Sequence, residues 1–218
     1  MIIVRTAPRT GGVSYLEETL RQVDATGKTE RRKIVLSDGR HASIEGWEVI
    51  ELPAGTGSRR SGWAALKIAL DADVEDLILL EDDLKLCTDG ARVLYDTRVP
   101  EGCFLLTFVT PFPPPGFQPS MPGKPRVLMQ HAGWFSGAQA LKFPRASLKH
   151  ACSIDPYSLP IWNDTPHLFD DALTVVAKES STPLVAMLLP NPVLHVGEFS
   201  ACNRHGGRSL YQPWVVNS

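Results

Sequence analysis

Between Asp76 and Leu84 the chain reads DLILLEDDL, a short apolar run that ends in three consecutive acids. Leu77, Ile78, Leu79 and Leu80 are too few for an independent helix and show no polar alternation. They read as a strand buried on both faces, the kind found in parallel sheets, and such a sheet needs helices on its faces. Glu81, Asp82 and Asp83 then arrive at the carboxyl end of that strand, the edge at which open α/β sheets bind ligands. Because side chains alternate along a strand, Glu81 and Asp83 share one side and Asp82 faces the other. Three adjacent carboxylates repel one another, so they need either a hard divalent cation or the open water of a solvated turn.

The first half of the chain supplies the alternation such a sheet needs. Residues 2–4 form a β-branched strand, and the loop after it carries Arg5 and Arg9, which could dock a phosphate or carboxylate. Val13, Leu16, Leu20 and Val23 fall on one helical face, with Ser14 as cap and Glu17 completing a capping box. Residues 33–36 and 47–52 read as two further strands, the first closed by a turn at Ser37, Asp38 and Gly39. PAGTGSRRSG then reads as a flexible loop before a helix over 63–70. Its glycines, Gly55, Gly57 and Gly62, miss the dinucleotide fingerprint, and no Lys-Ser/Thr pair closes it as a P-loop. Its basic pair, Arg59 and Arg60, is expected near an anion or solvent. The fold class expected is α/β, with a mostly parallel central sheet flanked by helices.

The second half begins with a strand over 104–109 and a segment over 111–126 too dense in proline for a helix or an interior strand. Such a segment suits a lid, a binding loop or a stiff surface excursion. Gly133 and Gly137 bracket Trp134, Phe135 and Ser136, where backbone can approach a ligand and the aromatic pair can wall a pocket or fill the core. Pro144 opens a short helix from its first turn. Asp170 and Asp171 begin another helix that ends near Lys178. Capping explains one aspartate and leaves the other for a general base, without deciding which. His195 lies inside a strand-like stretch over 192–197, and a lone histidine there suits the core as well as a metal. Cys202 and His205 beside it are too irregularly spaced to argue for zinc.

Composition excludes several classes. A formal net charge of -2 gives no global attraction to nucleic acid or anionic membrane. The four cysteines form no C-x-x-C pair, which favours free thiols in a reducing compartment. The opening MIIVRTAPRT is no signal peptide, and no apolar stretch has the length of a membrane span. The expectation is a cytoplasmic protein, one domain over 1–218, with a nucleotide-binding half over 1–110, a proline-rich loop over 111–126 and an acceptor-side half over 127–218.

These motifs together resemble a GT-A type glycosyltransferase, the Rossmann-like class that uses nucleotide sugars. ILLEDDL looks like that class's D-x-D metal motif, and HAGWFSGAQ looks like its glycine-containing acceptor-side loop. Phe169-Asp170-Asp171 looks like its x-E-D motif, and His195 looks like its C-terminal metal histidine. All four occur in the family's order. A closer likeness is to the eukaryotic N-acetylglucosaminyltransferase IV family, through Thr6-Ala7-Pro8-Arg9 with Tyr15-Leu16-Glu17-Glu18-Thr19-Leu20, through Glu81-Asp82-Asp83, and through His195-Val196-Gly197-Glu198-Phe199-Ser200-Ala201. That family's pattern has serine where this chain has Ala201.

The resemblance implies transfer of a sugar from a nucleotide sugar, a UDP-sugar above all, to an acceptor hydroxyl, with inversion. It implies Mn²⁺ or Mg²⁺ held by Asp83 and His195, the imidazole favouring Mn²⁺. Glu81 or Asp82 would contact the ribose, and Arg5, Arg9 or Arg60 the nucleotide. Gly133, Trp134 and Gly137 would line the acceptor side. Asp171, or failing that Asp170, would take the acceptor's proton. A glycan and a hydroxymethylated base in DNA are both open as acceptors, the second motivated by Arg59, Arg60, Lys124, Arg126, Arg204 and Arg208. A non-catalytic sugar-nucleotide or carbohydrate-binding module is the alternative from a different class. A metal-dependent phosphoryl or nucleotidyl enzyme is a third.

Overall fold

A computed structural model describes residues 1–8, 14–25, 31–109, 126–135, 137–155, 158–159, 169–189 and 191–196. The proline-rich segment over 110–125, Arg9, Ser136 and residues 197–218 lie outside the described residues, and nothing is described of the Trp134 side chain.

The apolar run is a strand, β4 (Asp76–Glu81), whose four central leucine and isoleucine side chains are fully buried. It lies inside an eight-stranded sheet with β1 (Ile2–Thr6), β2 (Lys33–Asp38), β3 (Glu48–Leu52), β6 (Cys103–Thr107), β7 (Arg126–His131), β8 (Ala140–Pro144) and β9 (Leu184–Leu189). The order is β3-β2-β1-β4-β8-β6-β9-β7. Pairing is parallel from β3 through β4 and between β6 and β9, and antiparallel at β4/β8, β6/β8 and β7/β9. The sheet is therefore mixed: β1 to β4, four of the expected strands, make its parallel half, and the expected strand over 104–109 is β6 in the other half.

Alternation assigns the two faces. Ile3, Leu77, Leu79, Leu141 and Phe143 pack with helices α2 (Gly57–Asp71), α4 (Arg145–Ser153) and α5 (Phe169–Glu179). Ile2, Val4, Ile78, Leu80 and Ala140 pack with α1 (Leu16–Asp24) and α3 (Gly90–Asp96) on the other face. The result is the three-layer arrangement expected for strands buried on both sides. Past β4, a small antiparallel pair joins β5 (Leu84–Leu86) to β10 (Val193–His195), with Leu84 opposite His195.

Three local expectations are corrected. Helix α1 starts at Leu16 with Tyr15 at its cap position and no side-chain cap bond, so Ser14 does not cap it. Pro144 closes β8 and occupies the cap position of α4 instead of its first turn. The glycine-rich segment is largely helical, because α2 begins at Gly57 and carries Arg59 and Arg60 in its first turn. The cause lies on another strand: the Asp38 carboxylate at the end of β2 accepts from Thr56 N at 2.9 Å and Gly57 N at 2.8 Å. That satisfies two amides which a helix start otherwise leaves without partners.

Candidate functional site

Each of the three acids after β4 has a different partner. Asp82 turns toward the α1 face: its Oδ2 accepts from Thr6 Oγ1 at 2.6 Å, and its backbone oxygen accepts from Thr19 Oγ1 at 2.6 Å. Asp83, almost fully buried, meets His195 Nε2 through Oδ2 at 2.9 Å. The short β5/β10 pair brings His195 there, reinforced by Val196 N donating to Asp83 O at 2.9 Å. Glu81 lies on the opposite side of the strand from Asp82, its carboxylate 2.9 Å from Arg5 Nη2. One ligand atom from each of Glu81, Asp83 and His195 lies within 4.8 Å of the others.

This donor set, two carboxylate oxygens and an imidazole nitrogen, suits a borderline-to-hard divalent ion. Opposite ligands with bonds of about 2.2 Å lie about 4.4 Å apart, so the grouping needs to contract by only a few tenths of an ångström. Burial pushes the Glu81 carboxyl up, the Arg5 guanidinium opposes that shift, and the Asp83 charge adds to it.

Arg5 is a buried hub. It is 5% exposed, and its Nη1 donates to Ser58 O and faces Ser61 Oγ at 3.4 Å in the first turn of α2. Its guanidinium carbon stands 4.9 Å from the centre of the Phe169 ring. Contacts with α2, β4 and α5 hold Arg5 at this edge of the sheet, and its Nε has no hydrogen-bond partner among the described residues. Arg60 is exposed on α2.

Phe169 opens α5 and places the acid pair behind it. The Asp170 Oδ2 accepts from Gly137 N at 3.0 Å, and its Oδ1 accepts from Asp171 N at 3.2 Å. Burial raises the Asp170 carboxyl, the Gly137 amide bond opposes the shift, and the Asp171 charge adds to it. Of the two aspartates, Asp170 holds backbone amides at the helix start and Asp171 is exposed. Gly137 has φ +94°, a left-handed backbone that favours glycine, and this turn aims its amide at Asp170. Gly133 is not brought to the acids: a Cβ there would meet Lys178, about 12 Å along α5 from Asp170 at 1.5 Å per residue.

Several residues of the site lie inside the quoted segments without being the positions that mark them. Thr6, Thr19, Ser58, Ser61 and Gln139 enter through pairings between distant elements. Thr6 and Thr19 belong to the quoted opening pattern, Ser58 and Ser61 to the glycine-rich segment and Gln139 to HAGWFSGAQ, and the Glu81 amide donates to Gln139 O at 2.8 Å across the β4/β8 edge.

No protein-family model and no curated protein matches the sequence. Among solved structures, the chain is similar to an active-site mutant of LgtC, with 18% identity, TM-score 0.50, and coverage of 86% of this chain and 72% of that one. It is also similar to the galactosyltransferase LgtC in complex with donor and acceptor sugar analogs, at 19% identity and TM-score 0.48, covering 79% of this chain and 69% of that one. A mannose-1-phosphate geranyltransferase from Thermus thermophilus gives 15% identity and TM-score 0.48, covering 89% and 75%. The likeness at TM-score 0.50 supports the GT-A type of fold. None of these structures points to the N-acetylglucosaminyltransferase IV family. No helix among the described residues is long and apolar enough to cross a membrane.

Proposed function

We propose that this chain is a metal-dependent glycosyltransferase that moves a sugar from a nucleoside-diphosphate sugar, a UDP-sugar first, to an acceptor hydroxyl. The observation that carries the reading is the convergence of Glu81, Asp83 and His195 at the carboxyl end of β4. The α5 acid pair is tied to the same region through Phe169 and Arg5. Asp83, His195 and Glu81 would hold Mn²⁺ or Mg²⁺. Such an ion supplies Lewis-acid stabilisation of a diphosphate leaving group.

The chain's own residues do the rest. Asp171, exposed beside Asp170 in the first turn of α5, takes the proton of the attacking hydroxyl, and direct attack on the anomeric carbon inverts its configuration. Asp170 fixes the start of α5 and the Gly137 turn that would face the acceptor. Asp82, bonded to Thr6, holds the end of β1 against the turn after β4. Acceptor choice rests on chemistry alone here: a hydroxyl on a glycan or on a modified base in DNA meets the requirement. For DNA, the described basic residues that motivated it fall in two places, Arg59 and Arg60 on α2 and Arg126 elsewhere, while Lys124, Arg204 and Arg208 lie outside the described residues. Arg126 starts the edge strand β7, four strands from β4, or about 19 Å at 4.8 Å per strand.

The test is the thermal shift of the protein with UDP, with and without Mn²⁺, beside Asp83→Asn. Ligand at a hundred times its dissociation constant stabilises by about 2.7 kcal/mol, which raises the melting point of a chain this size by several degrees. A Mn²⁺-dependent shift that disappears in Asp83→Asn is expected. No shift with UDP, GDP, dTDP or CMP in the wild type would sink the reading. Release of free nucleoside diphosphate that persists in Asp171→Asn would remove that residue from its role. Nucleotide-sugar binding without turnover would make the chain a binding module.

A further inference from the structure

Beside Glu81 stands a side chain whose amide oxygen has no hydrogen-bond partner among the described residues. The β4/β8 register runs antiparallel with Leu80 opposite Ala140, so the next pair outward is Glu81 and Gln139, joined by the Glu81 N to Gln139 O bond at 2.8 Å. Leu79 and Leu77 share one face with Leu141 and Phe143. Alternation therefore puts the Gln139 side chain on the same face as Glu81, with Cβ atoms about 5 Å apart, as for any directly opposed pair. Two residues before it, Gly137 is bonded to Asp170. Gln139 thus lies between the carboxylate cluster and the start of α5.

Its Oε1 is buried and accepts no hydrogen bond among the described residues. An unpartnered buried amide destabilises a fold, and such groups gather where a ligand completes them. The missing partner has a definable chemistry. Another carboxylate would be repelled by Glu81 and Asp83, and an apolar group would leave the amide unsatisfied. A hydroxyl fits whichever way the amide is turned, because it donates to Oε1 and equally accepts from Nε2.

We propose that Gln139 touches the ligand of this site directly, hydrogen-bonding a hydroxyl of the sugar carried by the nucleotide, an assignment that rests on the nucleotide-sugar reading above. Gln139 is then a residue that distinguishes the sugar nucleotide from the bare nucleotide.

The experiment compares dissociation constants by calorimetry in Mn²⁺ for UDP and UDP-glucose, GDP and GDP-mannose, and dTDP and dTDP-glucose, in the wild type and in Gln139→Met. Methionine keeps the length of the side chain and removes both hydrogen-bonding ends. For the sugar nucleotide that the wild type binds best, the variant is expected to bind about tenfold more weakly, as for loss of one such bond. Affinity for the matching bare nucleotide should stay within about twofold, and the ligand-free melting point should hold or rise because a buried amide oxygen without a partner is gone. Equal sugar-nucleotide affinity in the two proteins overturns the assignment. So does a lower melting point with both affinities reduced alike, since that pattern belongs to a residue that only holds β8 to β4. If the wild type binds no nucleotide of any pair, the glycosyltransferase reading itself falls, and this one with it.

Discussion

Gly62→Ala sets two effects of opposite sign against each other, and the structure decides between them. Gly62 lies inside α2, where alanine in place of glycine stabilises a helix by about 1 kcal/mol. A Cβ built there, however, would stand 2.4 Å from Phe169 Cδ2 and 2.6 Å from both Cε2 and Cγ. Ordinary contact begins near 3.4 Å, so the overlap approaches 1 Å at three ring atoms. The ring has little room to withdraw. It is 1% exposed, it meets Trp63 edge-on with centroids 5.9 Å apart, and Arg5 lies 4.9 Å from its centre. Overpacking of this kind costs about 1–3 kcal/mol, and rigid neighbours place it at the upper end.

The net expectation is a loss of about 2 kcal/mol. In a chain of 218 residues, that lowers the melting point by about 4–8 °C. Urea unfolding of the purified variant measures it, with an unchanged slope showing that native stability moved and not the unfolded state. A second arm uses Phe169→Ala, which removes Cγ as well as the ring. In that background Gly62→Ala should reverse sign and stabilise. If Gly62→Ala alone matches or exceeds wild-type stability, helix propensity has won and the claimed contact is refuted.

Lys142→Met should cost about 3 kcal/mol by urea unfolding, because Nζ is buried, donates to Leu94 O, Tyr95 O and Thr97 O, and pairs with Asp76. Thr6→Val removes a 2.6 Å bond to a buried carboxylate and should lower stability by about 1.5–3 kcal/mol; an unchanged midpoint would show that Asp82 does not depend on it. Asp170 holds its proton to higher pH folded than unfolded, so the native state binds more protons between the ordinary aspartate range and the raised folded value. Stability should therefore fall as pH rises through that window, and Asp170→Asn should lack that part of the slope when urea midpoints are compared across it.

What could be read from the chain follows from the range of the forces involved. The β4 run and its acid tip were legible because burial on both faces leaves an unbroken apolar stretch and alternation divides Asp82 from Glu81 and Asp83. The helix at Asp170 was legible from its terminal charges. Strand β8 was not, because its inward positions alternate with Lys142, whose amine caps the end of α3. The start of α2 was misplaced since its cap, Asp38, comes from another strand. Strand β9, LVAMLL between two prolines, carries a plain strand signal, an unbroken apolar run of strand length. The surroundings of Arg5 were not legible, because a sequence shows charge at a strand end and nothing of the Glu81 and Phe169 that lie against it.

That position of Arg5 gives it a consequence for binding that differs from direct contact. Counting formal charges, Glu81, Asp83 and Arg5 sum to one net negative charge, and a divalent ion would turn the site to one net positive, the sign that attracts a diphosphate. Without Arg5 the bare site would hold cation more tightly, and the loaded site would be neutral and hold the anion less. Arg5→Met should therefore strengthen Mn²⁺ binding and weaken UDP binding at saturating Mn²⁺, both read by calorimetry at low salt, where screening is least. An arginine that only bound phosphate would leave the metal unchanged, and one that only held the fold would weaken both. Opposite signs follow only if its charge acts through the Glu81 pair.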